Sequence, residues 1–135
     1  MAVVLIDHVQ LSTPPGGEAA ARTFYREVLG LTEVAKPEAR RVRGGIWFAE
    51  GLQVGLGLGL EPGMKPLVNV HAALVVEGLE ALDALDALDA RLRAASCEVL
   101  PATDQPGVRR FHTRHPFGNR IELVAEPSED RERGG

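Results

Sequence analysis

Residues 109–126 read RRFHTRHPFGNRIELVAE. The side chains alternate up to Arg114, a turn follows at His115-Pro116-Phe117-Gly118-Asn119, and a second strand returns through Arg120-Ile121-Glu122-Leu123-Val124. In that second strand Ile121 and Leu123 point one way, and Arg120, Glu122 and Val124 the other. One face of such a hairpin packs on a core. A carboxylate on a half-buried opposite face needs partners, and the rest of the chain has to supply them.

The chain has 135 residues, enough for one domain with a real core. Net charge is −4 and the sequence pI is about 5.6. No broad basic field is available for nucleic acid or an anionic membrane, so neither is expected as a partner. No apolar run approaches a membrane span, and no basic segment of signal-peptide type stands before the first strand. The expectation is a cytoplasmic protein. The lone Cys97 cannot form an internal disulfide, and reads as a small buried thiol.

Taken in order, Val3 to Ser12 reads as a strand, with Leu5, Val9 and Leu11 on one face and Val4, Ile6, His8, Gln10 and Ser12 on the other. Thr13 to Gly17 is a loop. Glu18 to Leu29 reads as a helix with Ala20, Phe24 and Val28 at helical spacing and Gly30 as its stop. Leu31 to Ala35 is a short strand, and Lys36 to Arg43 a basic surface connection. Gly45 to Glu50 and Leu52 to Leu58 form two more strands joined at Gly51. Repeated glycine inside the latter marks either close approach of a ligand or backbone, or a crowded face. Gly59 to Leu67 is the candidate linker.

The pattern then restarts. Val68 to Glu77 is a strand. Leu79 to Ala95 is a helix, whose three ALD triplets at 81–89 read as a solvated helix with its aspartates outside. Cys97 to Ala102 is a strand, 104–107 a turn, and the opening hairpin supplies the last two strands. Pro127 to Gly135 reads as a frayed tail. Each half is therefore strand, helix, strand, strand, strand. The expected fold class is α+β, with module one at about 3–58, a linker at 59–67, module two at about 68–127 and a tail at 128–135.

The duplication gives the carboxylate its partners. His8 and His71 stand in the middle of the first strands of the two halves. Glu122 lies 51 positions after His71. The equivalent step from His8, shortened for the smaller first helix, falls near Gly55. Two imidazoles and one carboxylate suit a divalent first-row metal with open positions, and Fe, Mn, Zn, Ni or Co would each fit. Taken singly, each residue is more simply a rim histidine or a solvated glutamate. Their joint placement in a duplicated frame is what argues for a site.

The segments IDHVQLSTPPGGEAAARTFYREVLGL, VHAALVV and RRFHTRHPFGNRIELV resemble the vicinal oxygen chelate superfamily. That group includes glyoxalase I, extradiol dioxygenases, fosfomycin-resistance thiol transferases, methylmalonyl-CoA epimerase and bleomycin-binding proteins. The resemblance spans residues 3–127. It implies two paired βαβββ modules whose mixed sheet curls into a cup around a metal, with helices outside. It also implies that His8, His71 and Glu122 are the ligands, from the first, fifth and eighth strands.

Gly55 falls where glyoxalase-like members place a further ligand, and glycine has none to offer. That departure favours dioxygenase-like or transferase-like chemistry over glyoxalase I. Gln53, on the same predicted face, would become a weak oxygen ligand or substrate contact if the register moved. His115 is a second departure, since relatives usually carry Asp before Pro-Phe-Gly, and it concerns the turn.

The resemblance also orients the seventh strand. His112 is placed inward, as a candidate general acid or base, which turns Phe111 onto a helix. Arg110 and Arg120 then face the cup, where they would favour an anionic substrate or form ion pairs with Glu50 or Glu126. Gln10 is a polar wall residue. The leading expectation is a metal-dependent enzyme acting on an oxygen-chelating, in this reading anionic, small molecule. Its runner-up is a non-catalytic bleomycin-resistance-type binding protein, and the third reading is a relic fold with a structural role. A homodimer is expected, with modules paired either within one chain or across two.

Overall fold

A computed structural model describes residues 2–36, 44–77, 80–102, 108–114 and 117–126. Most of the predicted basic connection, the turn at 104–107, residues 115–116 of the hairpin turn, Leu79 at the predicted helix start and the tail from 127 lie outside the described residues. The chain divides into two compact units, residues 1–66 and 67–135. The fold is α+β, and the two units share one topology.

In unit one the strands are β1 (His8–Thr13), β2 (Thr32–Glu33), β3 (Ile46–Glu50) and β4 (Gly55–Leu60). They form one sheet in the order β1-β4-β3-β2. β1 runs parallel to β4, and β3 is antiparallel to both its neighbours. Helix α1 (Glu18–Arg22) continues without a break into a π-helical segment (Thr23–Val28). The wider winding, closed by Leu29 N–H donating to the Phe24 carbonyl, puts Phe24, Tyr25 and Val28 all into the core. Tyr25 meets Phe48 of β3 at 5.6 Å between rings. Leu11, Ile46, Leu56 and Leu58 complete this core from the sheet. The predicted stop at Gly30 is a positive-φ residue, at 81°.

Unit two repeats the plan with β5 (His71–Glu77), β6 (Leu100–Ala102), β7 (Arg109–Arg114) and β8 (Arg120–Glu126), in the order β5-β8-β7-β6. Helix α2 (Ala81–Ala94) buries Ala81, Leu85, Leu88 and Leu92, an i, i+4, i+7, i+11 stripe. Asp83 and Asp86 face outward as expected, while Asp89 is half-buried beside Arg93. Val99, Phe111, Ile121, Leu123 and Ala125 supply the rest of the core. The helix ends in a left-handed residue, Ser96 at φ 62°. Cys97 N–H then donates back to the Leu92 carbonyl at 2.9 Å. Cys97 itself is only half-buried rather than buried, and what burial it has pushes its thiol pKa up.

Three strand boundaries depart from the sequence reading for one reason. β1 begins at His8 rather than Val3, and β5 at His71 rather than Val68. Each starts where its partner starts, since His8 pairs with Gly55 and His71 with Arg120. Val3 to Ile6 have strand propensity but stand 67–86% exposed. Both histidines therefore open their strands instead of sitting mid-strand. β4 likewise begins at Gly55 and runs to Leu60, two residues into the predicted linker, and Leu52 to Val54 precede it. Propensity alone does not make a strand; a ladder partner does. The strand predicted over Leu31 to Ala35 shortens to Thr32–Glu33, and that over Cys97 to Ala102 shortens to its last three residues.

Candidate functional site

The hairpin of β7 and β8 sets one half of the site. Register places His112 opposite Glu122, Arg114 opposite Arg120 and Arg110 opposite Val124. Phe111, Thr113, Ile121 and Leu123 take the core face. The other face then carries Arg110, His112, Arg120 and Glu122, and parity in β5 adds His71 to it. His112 takes the sheet face opposite Phe111.

Glu122 is the centre of this face. Its side chain is 7% exposed. Oε1 lies 3.2 Å from Nε of Arg110, and Oε2 lies 3.3 Å from Nε2 of His71. His71 Nδ1 donates to the Asn69 carbonyl at 2.8 Å. A carbonyl can only accept, so Nδ1 carries the hydrogen, and Nε2 of the neutral ring carries a lone pair. That lone pair faces a carboxylate oxygen. Two electron-rich atoms held this close need a cation between them or a proton on the ring. Two donors on one first-row metal, each about 2.0–2.2 Å from it, stand roughly 3.0–3.4 Å apart. The observed separation fits that bite.

Arg120 donates from Nε to Nδ1 of His112 at 3.1 Å, and its Nη2 lies 3.0 Å from Nε2. Burial, and after it the positive charge of Arg120, hold the His112 pKa below the usual imidazole range. His112 is then a neutral ring at neutral pH, with its lone pair on Nδ1 accepting from Arg120. Its ring stands edge-on to His71, 6.1 Å between centroids. Both arginines are thus engaged by groups on their own sheet face. Glu122 is an ion-pair partner of Arg110.

The matching face of unit one carries His8, Gln10, Trp47 and the glycines of β4. His8 Nδ1 donates to the Asp7 carboxylate at 2.8 Å. This is the same arrangement as at His71, with Nδ1 tied and Nε2 presented, and it is how outer acceptors orient a ligating histidine. Gln10 lies against Gly57 and Gly59. Gln53 is exposed in the turn before β4, so the strand face predicted for it does not exist. The register also corrects the pseudo-equivalence. His8 faces Gly55 as His71 faces Arg120, so Glu122, opposite Ala73, corresponds to Gly57 opposite Gln10. The corresponding residue is still a glycine, so the lack of a fourth ligand from that position stands.

Within unit two the structure brings together His71, Glu122, His112, Arg110 and Arg120; within unit one, His8 and Gln10. Among the described residues no group of three or more His, Cys, Asp or Glu side chains is placed to hold a metal. The sequence reading missed Asp7, Asn69 and Trp47. Asp7 had a visible signal, an acid directly before a candidate ligand. The Asn69 carbonyl had none, since any residue carries one. Trp47, one position from the middle of a strand beside a glycine-alternating strand, was legible but passed over.

Two modules of identical topology, each with a polar sheet face opposite its core, define a class of small duplicated α+β proteins. The chain belongs to the Glyoxalase/Bleomycin resistance protein/Dioxygenase superfamily, whose family model matches residues 5–123. Among solved structures, it is similar to one described as a glyoxalase family protein from Bacillus anthracis, at 36% identity and TM-score 0.81, covering 93% of this chain and 98% of that one. It is also similar to TnmS3, an antibiotic binding protein from Streptomyces sp. CB03234, at 26% identity and TM-score 0.61, covering 93% and 98%. The fosfomycin resistance protein FosX from Listeria monocytogenes shares the fold at 14% identity and TM-score 0.70, covering 96% and 98%. No curated protein is significantly similar to this chain. Among the described residues no helix is long and apolar enough to cross a membrane.

Proposed function

We propose that this protein is a small metal-dependent enzyme in which His8, His71 and Glu122 hold a divalent ion, drawn from Fe, Mn, Zn, Ni and Co, for work on an oxygen-chelating small molecule. The observation that carries the reading is Nε2 of His71 held 3.3 Å from Glu122 Oε2 while Nδ1 is tied to a carbonyl. When bound, such an ion acts as a Lewis acid on substrate oxygens. The remaining steps belong to the chain. Arg110 holds the second carboxylate oxygen of Glu122 and so fixes the direction of the first. Asp7 and the Asn69 carbonyl keep both histidines in the ligating tautomer. His112 is the candidate general base, and taking a proton requires its ring to give up the bond that Arg120 Nε–H donates to Nδ1. Dioxygenase-like or transferase-like chemistry ranks above glyoxalase I chemistry, because the β4 position that would supply a fourth ligand is glycine.

The test is elemental analysis of protein purified without chelators. About one divalent ion per site is expected in the wild type, with loss of retention in His8→Ala, His71→Ala and Glu122→Ala. Affinity for every first-row metal no better than that of a His71→Ala/Glu122→Ala double variant would reject the reading.

A second reading is favoured by the 26% identity to an antibiotic binding protein. In it the chain sequesters a small molecule without turning it over. Ligand binding with no product in any metal-reconstituted assay would support this alternative over the first.

A further inference from the structure

The glycines of β4 have a use that the metal reading does not explain. A Cβ on Gly55 would stand 2.8 Å from Cζ2 of Trp47, and one on Gly57 would stand 2.6 Å from Cζ3 and 2.8 Å from Cε3. At those distances an added side chain would force the indole to move. The benzene half of the indole therefore lies flat on a floor of two glycines, and alternate-residue glycine is what lets it lie there. Gly59 does the same for Gln10, whose Nε2 would be 2.5 Å from an added Cβ. His8 closes one edge of the indole, 5.2 Å away and steeply inclined at 63°. One indole face is thus covered by backbone and one edge by imidazole, yet Trp47 remains half-exposed. Trp47 also lines a cavity of about 330 Å³, together with His8, Gln10, Ile46, Gly57 and Gly59 among others. That volume lies at the low end of those that take small organic molecules.

We propose that Trp47, laid flat on Gly55 and Gly57, is the specificity-determining shelf of this site, and that its ligand carries a flat conjugated ring system stacked on the indole. An offset-stacked ring gains contact that a puckered ring of the same size cannot make. The amide of Gln10 offers a donor and an acceptor to a polar substituent at the ring edge. His8 stands beside the stacked ring, so the oxygens that reach the proposed metal are carried on or next to it. The inference rests on the reading of this face as a small-molecule site, and it narrows the substrate class within that reading.

The test compares two diols of one carbon skeleton, 2,3-dihydroxynaphthalene and decahydronaphthalene-2,3-diol. Both are titrated calorimetrically into metal-loaded and chelator-treated full-length protein. The aromatic diol should bind about tenfold tighter or better, in both forms. Trp47→Leu should bring that ratio close to one, and Trp47→Phe should keep most of it. Gly57→Ala should also lower it, by lifting the indole rather than deleting it. Trp47 is the sole tryptophan, so its ring protons give one assignable set of NMR signals, which should move upfield with the aromatic diol alone. This last readout needs no variant and survives a failure of Trp47→Leu to fold. Binding of neither diol, a ratio near one in the wild type, or a ratio unchanged in folded Trp47→Leu overturns the proposal. A ring preference that persists in protein unable to hold metal supports the shelf while rejecting the metal reading, so the two fail separately.

Discussion

At the scale of single residues, Glu122 accounts for most of the chemistry. A buried carboxylate is tolerated when each oxygen has a partner, and here Arg110 serves one and His71 the other. Replacing Arg110 by Met should leave the buried carboxylate without this ion-pair partner and cost about 1–3 kcal/mol in urea unfolding. Adding Glu122→Leu to Arg110→Met should recover part of that loss, because both halves of the pair are then gone. The same double variant should hold no metal. Recovery of stability with loss of metal would separate the structural role of the pair from its proposed ligand role.

Individual elements hold the sheet faces in position. Arg22 of the first helix donates to both oxygens of Glu33 in β2 at 3.0–3.2 Å, and Arg26 adds a contact at 3.3 Å. The Arg22 hydrogen bond, opposed in part by burial, holds the Glu33 carboxyl below the usual carboxylate range. The folded pKa being the lower one, the pair's stabilisation is full above the unfolded pKa of about 4.3 and is lost as pH falls through the folded value. Because the arginine ends are 39% and 50% exposed, screening limits it. Wild type and Glu33→Gln should differ by about 0.5–1 kcal/mol at pH 6 and converge near pH 2.5 in denaturant titrations. At the end of α2, Ser96→Gly should raise stability by roughly 0.5 kcal/mol, since glycine relieves the left-handed backbone at φ 62° against its own entropic cost. In β4, Gly57→Ala should destabilise by about 1–3 kcal/mol through overpacking against Trp47. A thermal melt distinguishes the last two by sign alone.

For the whole molecule, the exposed apolar residues are informative. Val3 to Ile6 before β1, and Leu67, Val68 and Val70 before β5, are more exposed than residues of this type usually are in a monomer. They occupy corresponding places in the two modules. We propose a homodimer with these stretches in or beside its interface. Light scattering at micromolar concentration should give twice the chain mass, and Val4→Lys together with Val68→Lys should shift it to the monomer. A monomeric wild type would reject it.

The local sequence determined a good deal. Period-two and period-four patterns and turn residues placed the eight strands and two helical segments of the described residues in order, and the repeat of that order marked the duplication. The alternation of Arg120-Ile121-Glu122-Leu123 assigned its faces, because a pleat permits only two. Strand ends, register and partners were decided by tertiary structure. Nothing within Val3 to Ile6 says that β4 begins only at Gly55, so a ladder that stops at His8 cannot be read from propensity. Nothing in the spacing of His8 and Gly55 says that Glu122 answers to Gly57, because one residue pair of slip moves a correspondence without changing a face. The tie between Arg110 and Glu122, and the flat seat of Trp47 on two glycines, are distances between strands. Such distances exist only once separate stretches of chain are hydrogen-bonded side by side.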